Sequence, residues 1–265
     1  MVDATLLNWT LDHLMRILVV LVRVAPLLFL MPVIGSKSVP AQIKILIALT
    51  TSLAIMPMVP VTIADLPAAP LGFLIFVLRE IIFAAILSLF TRFVFAAVET
   101  AGQVVGVQMG MGMAGVMDPL FGNQVSPVGM LWNIAAILTF LTINGHHIFF
   151  KALVESYAWV GPGQMHLSQA TFNGIMEGAT RMFILAIKIM APAGAALFFS
   201  HVAMGIIAKT VPQIPILIVG MPLNIAIGLV FAGLMMGYFV PLMIANFDML
   251  GRLLPRLGAG MGVGG

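Results

Sequence analysis

The sequence predicts an all-α, membrane-type protein of helical hairpins whose helices are kinked and broken, and three observations carry that expectation. First, 62% of the 265 residues are hydrophobic and only 8% charged, with a mean hydropathy of +1.16. A soluble domain is nearer half apolar and about a quarter charged. Second, apolar runs long enough for helices are separated by proline and glycine turns. Third, Gly102–Pro119 reads GQVVGVQMGMGMAGVMDP, with five glycines, four methionines and one acid. Glycine costs roughly 1 kcal/mol per helical position relative to alanine, and irregular backbone at membrane depth is tolerated only inside protein or along a cavity. This segment therefore reads as a pliable apolar element buried at a functional centre.

The elements follow in order. A first helix spans about Leu11 to Phe29 and ends at Met31-Pro32; a second covers about Ala41 to Met56, between Pro40 and Pro57. The acids Asp3 and Asp12 and His13 precede or enter the first apolar run, so it is expected to be retained as structure rather than removed as a signal. A proline-rich loop leads to a third run, Leu71 to about Glu99, longer than a hydrocarbon core requires. Val128 to Ile143 forms a fourth helix, interrupted by Asn144-Gly145-His146-His147 and continued at an angle from Ile148 to Trp159. Thr171 to Lys209 carries Pro192 near its middle, predicting a kink or a break into two helices. Thr210 to Pro222 holds three prolines and predicts a re-entrant or hairpin loop. Leu223 to Leu250 is the last helix, and the glycine-rich residues 251–265 are expected to fray as a flexible tail.

Charges sit inside these runs. Arg16 and Arg23 share one face of the first helix; Arg79, Glu80, Arg92 and Glu99 stud the third; Glu177, Arg181 and Lys188 lie in the fifth run. Each costs roughly 2.5–3.5 kcal/mol at the centre of a bilayer. One reading is a proton or substrate pathway through the helices; the favoured expectation is that these faces meet water, the interface or other proteins, and hence that the chain belongs to a larger assembly. The net charge of +3 is scattered rather than patched, so no nucleic-acid partner is expected. With no cysteine, disulfides and thiolate metal sites are excluded. His146-His147 reads as a polar turn and His201 as a packed or hydrogen-bonding histidine. No nucleophile elbow, zinc-helix, P-loop or dinucleotide motif is found. No enzymatic activity, cofactor or metal is expected, and any transport must be energised elsewhere. Gly233 with Gly237 and Gly106 with Gly110 have the spacing that lets helix backbones approach.

Three stretches together resemble the FliR/SpaR/EscT family of type III secretion export-apparatus proteins, its flagellar members most of all. They are MPVIGSKSVPAQIKILIALTTSLAIMP (Met31 to Pro57), ETAGQVVGVQMGMGMAGVMDP (Glu99 to Pro119) and IMAPAGAALFFSHVAMGIIAKTVPQIPILIVGMPLNIAIGL (Ile189 to Leu229). NGHHIFFKALVESY (Asn144 to Tyr157) also fits. Where members often carry Pro-Gln-Met-Asn, this chain has Pro212-Gln213-Ile214-Pro215, so only Pro212 and Gln213 carry over.

The resemblance implies a single export-gate domain built to pack side by side with homologous subunits. About 1–210 would be FliP-like hairpins and about 190–250 a FliQ-like hairpin. Implied partners are FliP-like and FliQ-like subunits, FlhB-like and FlhA-like components, unfolded exported flagellar proteins and membrane lipid. The implied location is the basal body in the bacterial inner membrane. Gly102 to Pro119 would be a channel plug, formed by Gly102, Gln103, Gly106, Gln108, Met109, Gly110, Met111, Gly112, Met113, Met117, Asp118 and Pro119. Met109, Met111, Met113 and Met117 would seal, and Gln103 and Gln108 would hydrogen-bond the closed state. Subunit packing would fall to Pro32, Gly35, Pro40, Pro192, Pro212, Gln213, Pro222, Gly233 and Gly237. The alternatives are an injectisome subunit of the same family, a stand-alone small-molecule transporter, and a scaffold outside the pore.

Overall fold

The computed structural model of the chain describes residues 4–36, 39–59, 66–67, 69–111, 126–213 and 215–262, with only the backbone for 4–8, 216 and 217. Among these residues there are seven α-helices and no strand: α1 (Ala4–Leu30), α2 (Ala41–Ile55), α3 (Pro70–Gln108), α4 (Pro127–Thr142), α5 (Gly145–Trp159), α6 (Gln169–Thr210) and α7 (Ile216–Met261). The all-α, membrane-type expectation holds. Among the described residues, five helices are long and apolar enough to cross a membrane, or six spans if the bent pair α4 and α5 forms one. That pair breaks where the sequence says it should. Asn144 takes the left-handed region (φ 54°), which asparagine tolerates better than most residues, and its carbonyl accepts the His147 N–H at 2.8 Å.

Four expectations are corrected. The third run does not stop at Glu99: α3 continues to Gln108, 39 residues in all. Helix α6 does not break into two: of the kink or break expected at Pro192, the break is absent and the helix runs for 42 residues with Pro192 inside it, Ile189 and Ala193 on either side being fully buried while Pro192 faces outward. The loop expected over 210–222 shrinks, since α7 starts at Ile216 and takes in Pro222, Pro241 and Pro255 over 46 residues. Nor does the tail fray before Met261. Leu254, Leu257 and Met261 are buried, a Cβ at Gly258 would lie 2.1 Å from the Trp159 ring, and the Met261 carbonyl accepts the His166 N–H at 3.0 Å. Tertiary packing outweighs glycine and proline propensity throughout this helix. At 1.5 Å per residue α7 is about 69 Å long, roughly twice a hydrocarbon core of about 30 Å.

The chain divides into two compact units. One comprises residues 1–92, 144–178 and 248–265, the other 93–143 and 179–247. Helices α3, α6 and α7 each contribute to both.

The first unit is organised on a charge cluster. Arg23 and Glu80 are both completely buried and form a bidentate pair, Nε to Oε2 at 2.6 Å and Nη2 to Oε1 at 3.0 Å. Arg23 Nη1 also donates to Ser156 Oγ (3.3 Å) and to the Val160 carbonyl (3.1 Å). The guanidinium lies 4.6 Å from the Phe83 ring centroid and 4.2 Å from that of Tyr157. Glu80 Oε1 takes the Gly163 N–H at 2.7 Å, while Arg79 holds the Gly163 carbonyl at 3.0 Å. Three helices and the 160–163 turn are thus fixed by one ion pair with its polar atoms partnered. The charges sequence reasoning assigned to outside contact therefore split: Arg23 and Glu80 neutralise each other internally, whereas Arg79, Arg92, Glu99 and Lys188 are exposed.

The second unit has an aromatic core. Phe95, Phe140 and Phe247 meet with ring centroids 5.1–5.8 Å apart, and Trp132 stacks on Phe239. Within the α6–α7 hairpin, Ser200 donates to Asn224 Oδ1 at 2.6 Å, and Asn224 Nδ2 lies 3.1 Å from His201 Nε2. His201 is thus hydrogen-bonded, as its sequence context suggested.

Candidate functional site

The glycine–methionine segment begins as helix. Residues 102–108 are the last two turns of α3, and their glycines serve close packing inside the second unit. A Cβ at Gly102 would stand 2.1 Å from Gly129 Cα of α4, and one at Gly106 would stand 2.2 Å from Ser126 Oγ. Any side chain there would drive the helices apart, and contact at backbone distance offsets the poor helix propensity of glycine.

The helix ends in a Schellman motif. Gly110 takes φ +84°, its N–H donates to the Val107 carbonyl at 3.0 Å, and the Met111 N–H reaches back to the Gly106 carbonyl at 3.1 Å. Among the described residues, a β-carbon on Gly110 would meet only Met221, at 3.7 Å. Its constraint is therefore conformational rather than steric. Gly110→Ala is expected to lower the stability of the protein by about 1–2 kcal/mol, the strain of an L-residue in the left-handed region. Gly110→Asn should cost less, and thermal unfolding of the purified complex checks both.

Met109, just before the turn, is fully buried. It occupies a notch on α7: a Cβ on Gly228 would lie 2.5 Å from both Cγ and Sδ of Met109. Gln108 is half-buried, its Oε1 lies 3.4 Å from where a Gly194 Cβ would stand on α6, and that oxygen is buried without a hydrogen-bond partner among the described residues. Ser126 Oγ at the start of α4 is likewise buried and unpaired among the described residues. Three helices, α4, α6 and α7, thus converge on the end of α3.

Of the expected plug residues, Gly102, Gly106 and Met109 lie in the core and Gln103 is exposed. Gly110 and Met111 form the turn, both half-buried. Gly112, Met113, Met117, Asp118 and Pro119 lie outside the described residues. Among residues expected to pack subunits, Pro32 and Gly35 form the α1–α2 turn, where a Cβ on Gly35 would strike the Phe29 carbonyl oxygen. Pro40 is the N-cap of α2. Pro192, Pro212, Gln213 and Pro222 are exposed, and Gly233 and Gly237 look onto open space. Sequence reasoning missed Ser126, Gly129, Gly194 and Gly228. Ser126 and Gly129 could have been read as small residues one turn apart at a helix start, but nothing in the sequence singles out Gly228. Among the described residues no group of three metal-ligating side chains occurs.

The model of the family described as "Bacterial export proteins, family 1" matches residues 14–250. The chain is 28% identical to the flagellar biosynthetic protein FliR of Escherichia coli (strain K12) over 221 residues, covering 83% of this chain and 84% of that protein. It is 29% identical to FliR of Bacillus subtilis (strain 168) over 229 residues, 84% of this chain and 87% of that protein. Against FliR of Pectobacterium carotovorum subsp. carotovorum it is 26% identical over 240 residues, 89% and 91% of the two chains.

Proposed function

The chain belongs to the bacterial export proteins, family 1, and from that premise we propose that it is the gate-forming subunit of a flagellar protein-export apparatus. As a membrane-embedded component of that apparatus it associates with other export components. FliP-like and FliQ-like subunits are the proposed direct partners, with FlhB-like and FlhA-like components beyond them. The bacterial inner membrane is the proposed site, and unfolded flagellar proteins are the proposed cargo.

The gate is the segment from Met111 to Pro119. The observation that supports this reading is the Schellman turn at Gly110. It ends a packed helix and hands over to a run, MGMAGVMDP, rich in glycines and thioethers. Methionine side chains deform easily, so they can close on an empty pore and re-pack around exported segments of varied sequence. The exposed Gly233–Gly237 edge of α7 is the proposed packing edge for a neighbouring subunit, as small residues permit close helix approach. The 190–250 hairpin supplies the FliQ-like part.

Replacing Met111, Met113 and Met117 together by serine tests this function. The expected result in a flagellated bacterium is normal complex assembly, ion leak across the inner membrane and altered secretion of flagellar proteins. A tight membrane with unchanged secretion and full assembly points to the scaffold instead.

A further inference from the structure

We infer that Met109 is a positioning residue, the fixed anchor of the gate, and that Gly228 on α7 is its receptor; this rests on the gate reading above. The sequence groups Met109 with the sealing methionines, yet its side chain has no solvent exposure at all. Its Cγ and Sδ fill the space that a Cβ on Gly228 would need, 2.5 Å away. Gly228 is therefore a hole and Met109 the knob seated in it. Directly after the knob the backbone turns through Gly110 at φ +84°, with the Gly110 and Met111 N–H groups bonded back to Val107 and Gly106. Those two carbonyls belong to α3, which is itself pinned at Gly102 and Gly106 against α4. The end of α3 is consequently held at three places, and the path along which Met111 leaves is dictated by the anchor.

Two consequences separate this from a general packing role. A methyl group on Gly228 must push an enclosed thioether aside, and the displacement is passed to the turn that aims Met111. Shortening Met109 empties the same hole. The two changes are therefore compensatory: the methyl group that Gly228→Ala introduces occupies part of the space that Met109 vacates when it is cut back.

The experiment is ion conductance of the purified export complex, with its FliP-like and FliQ-like partners, reconstituted in vesicles. It compares Gly228→Ala, Met109→Ala, their double variant, Met109→Leu, and a deletion of residues 111–116. The expected result is a severalfold rise in resting leak for each single alanine variant at unchanged complex yield. Leak should fall back in the double variant and stay near wild type for the volume-conserving Met109→Leu. If the deletion leaks but both single variants stay tight, the anchor is overturned while the gate stands. If leak follows loss of complex yield alone, Met109 is merely structural and the inference is likewise overturned. A deletion variant that stays tight overturns the gate and the anchor together.

Discussion

Arg23→Ala should cost about 3–5 kcal/mol of stability, as expected when one partner of a buried ion pair is removed and the other keeps its charge. The loss comes less from the attraction forgone than from what remains: the Glu80 carboxylate, fully buried, still bonded to the Gly163 N–H at 2.7 Å but without its counter-charge. The Ser156 hydroxyl and Val160 carbonyl also lose the Arg23 donor that now binds them. Phe83 and Tyr157, which flank the guanidinium, would face a cavity. Arg23→Lys should recover little, since an ammonium cannot reproduce the bidentate geometry. The informative variant is the double change Arg23→Met with Glu80→Gln, which removes both charges and is expected to recover a large part of the loss. Midpoints of thermal unfolding in detergent measure all three. Equal destabilisation by the single and double changes would show that packing volume, and not the unpaired carboxylate, dominates.

Gly102→Val should be nearly as damaging by a different route. The new Cβ would sit 2.1 Å from Gly129 Cα, and a backbone atom cannot swing away as a side-chain end can. Overpacking of this kind costs about 1–3 kcal/mol, occasionally more, and here it would separate α3 from α4 about two turns before the Gly110 turn. Gly237→Val is the control. That position has open space beside it in this chain, so valine should leave the subunit's own folding largely intact while weakening assembly with a neighbour. Stability of the isolated chain and recovery of partners on co-purification separate the two variants.

Much of the fold was legible from apolar runs and their punctuation. The ends of α1, α2, α4 and α5 fall within a few residues of expectation apart from the start of α1, and the break at Asn144 follows from the polar Asn-Gly-His-His stretch. Helix interiors were harder where tertiary contacts outweigh local preference. Pro192 and Pro222 do not end helices, and the glycines of the C-terminal segment pack against Trp159 and Ala170 instead of fraying.

The Arg23–Glu80 pair was invisible because its members are 57 residues apart. Each also has another charge nearby in sequence, Arg16 for one and Arg79 for the other. The candidate site was half legible. Its composition marked Gly102–Pro119 as unusual, but composition alone cannot tell a glycine needed for close packing, such as Gly102, from one needed for a left-handed turn, such as Gly110. The geometry draws that line at Gly110, whose turn ends α3 eight residues along the chain from Gly102.

That shift also decides which deletion is informative. One beginning at Gly106 would remove the contact with Ser126 and unseat α3, so leak could arise from collapse of the packing. Removing residues 111–116 keeps the Gly110 turn and the Met109 anchor in the chain. The most direct test of the gate is therefore resting ion conductance of vesicles containing the assembled export complex with this short deletion. A conductance well above that of the intact complex, at equal complex content, is the expected result. Vesicles as tight as those with the intact protein would contradict the claim that this segment seals the channel.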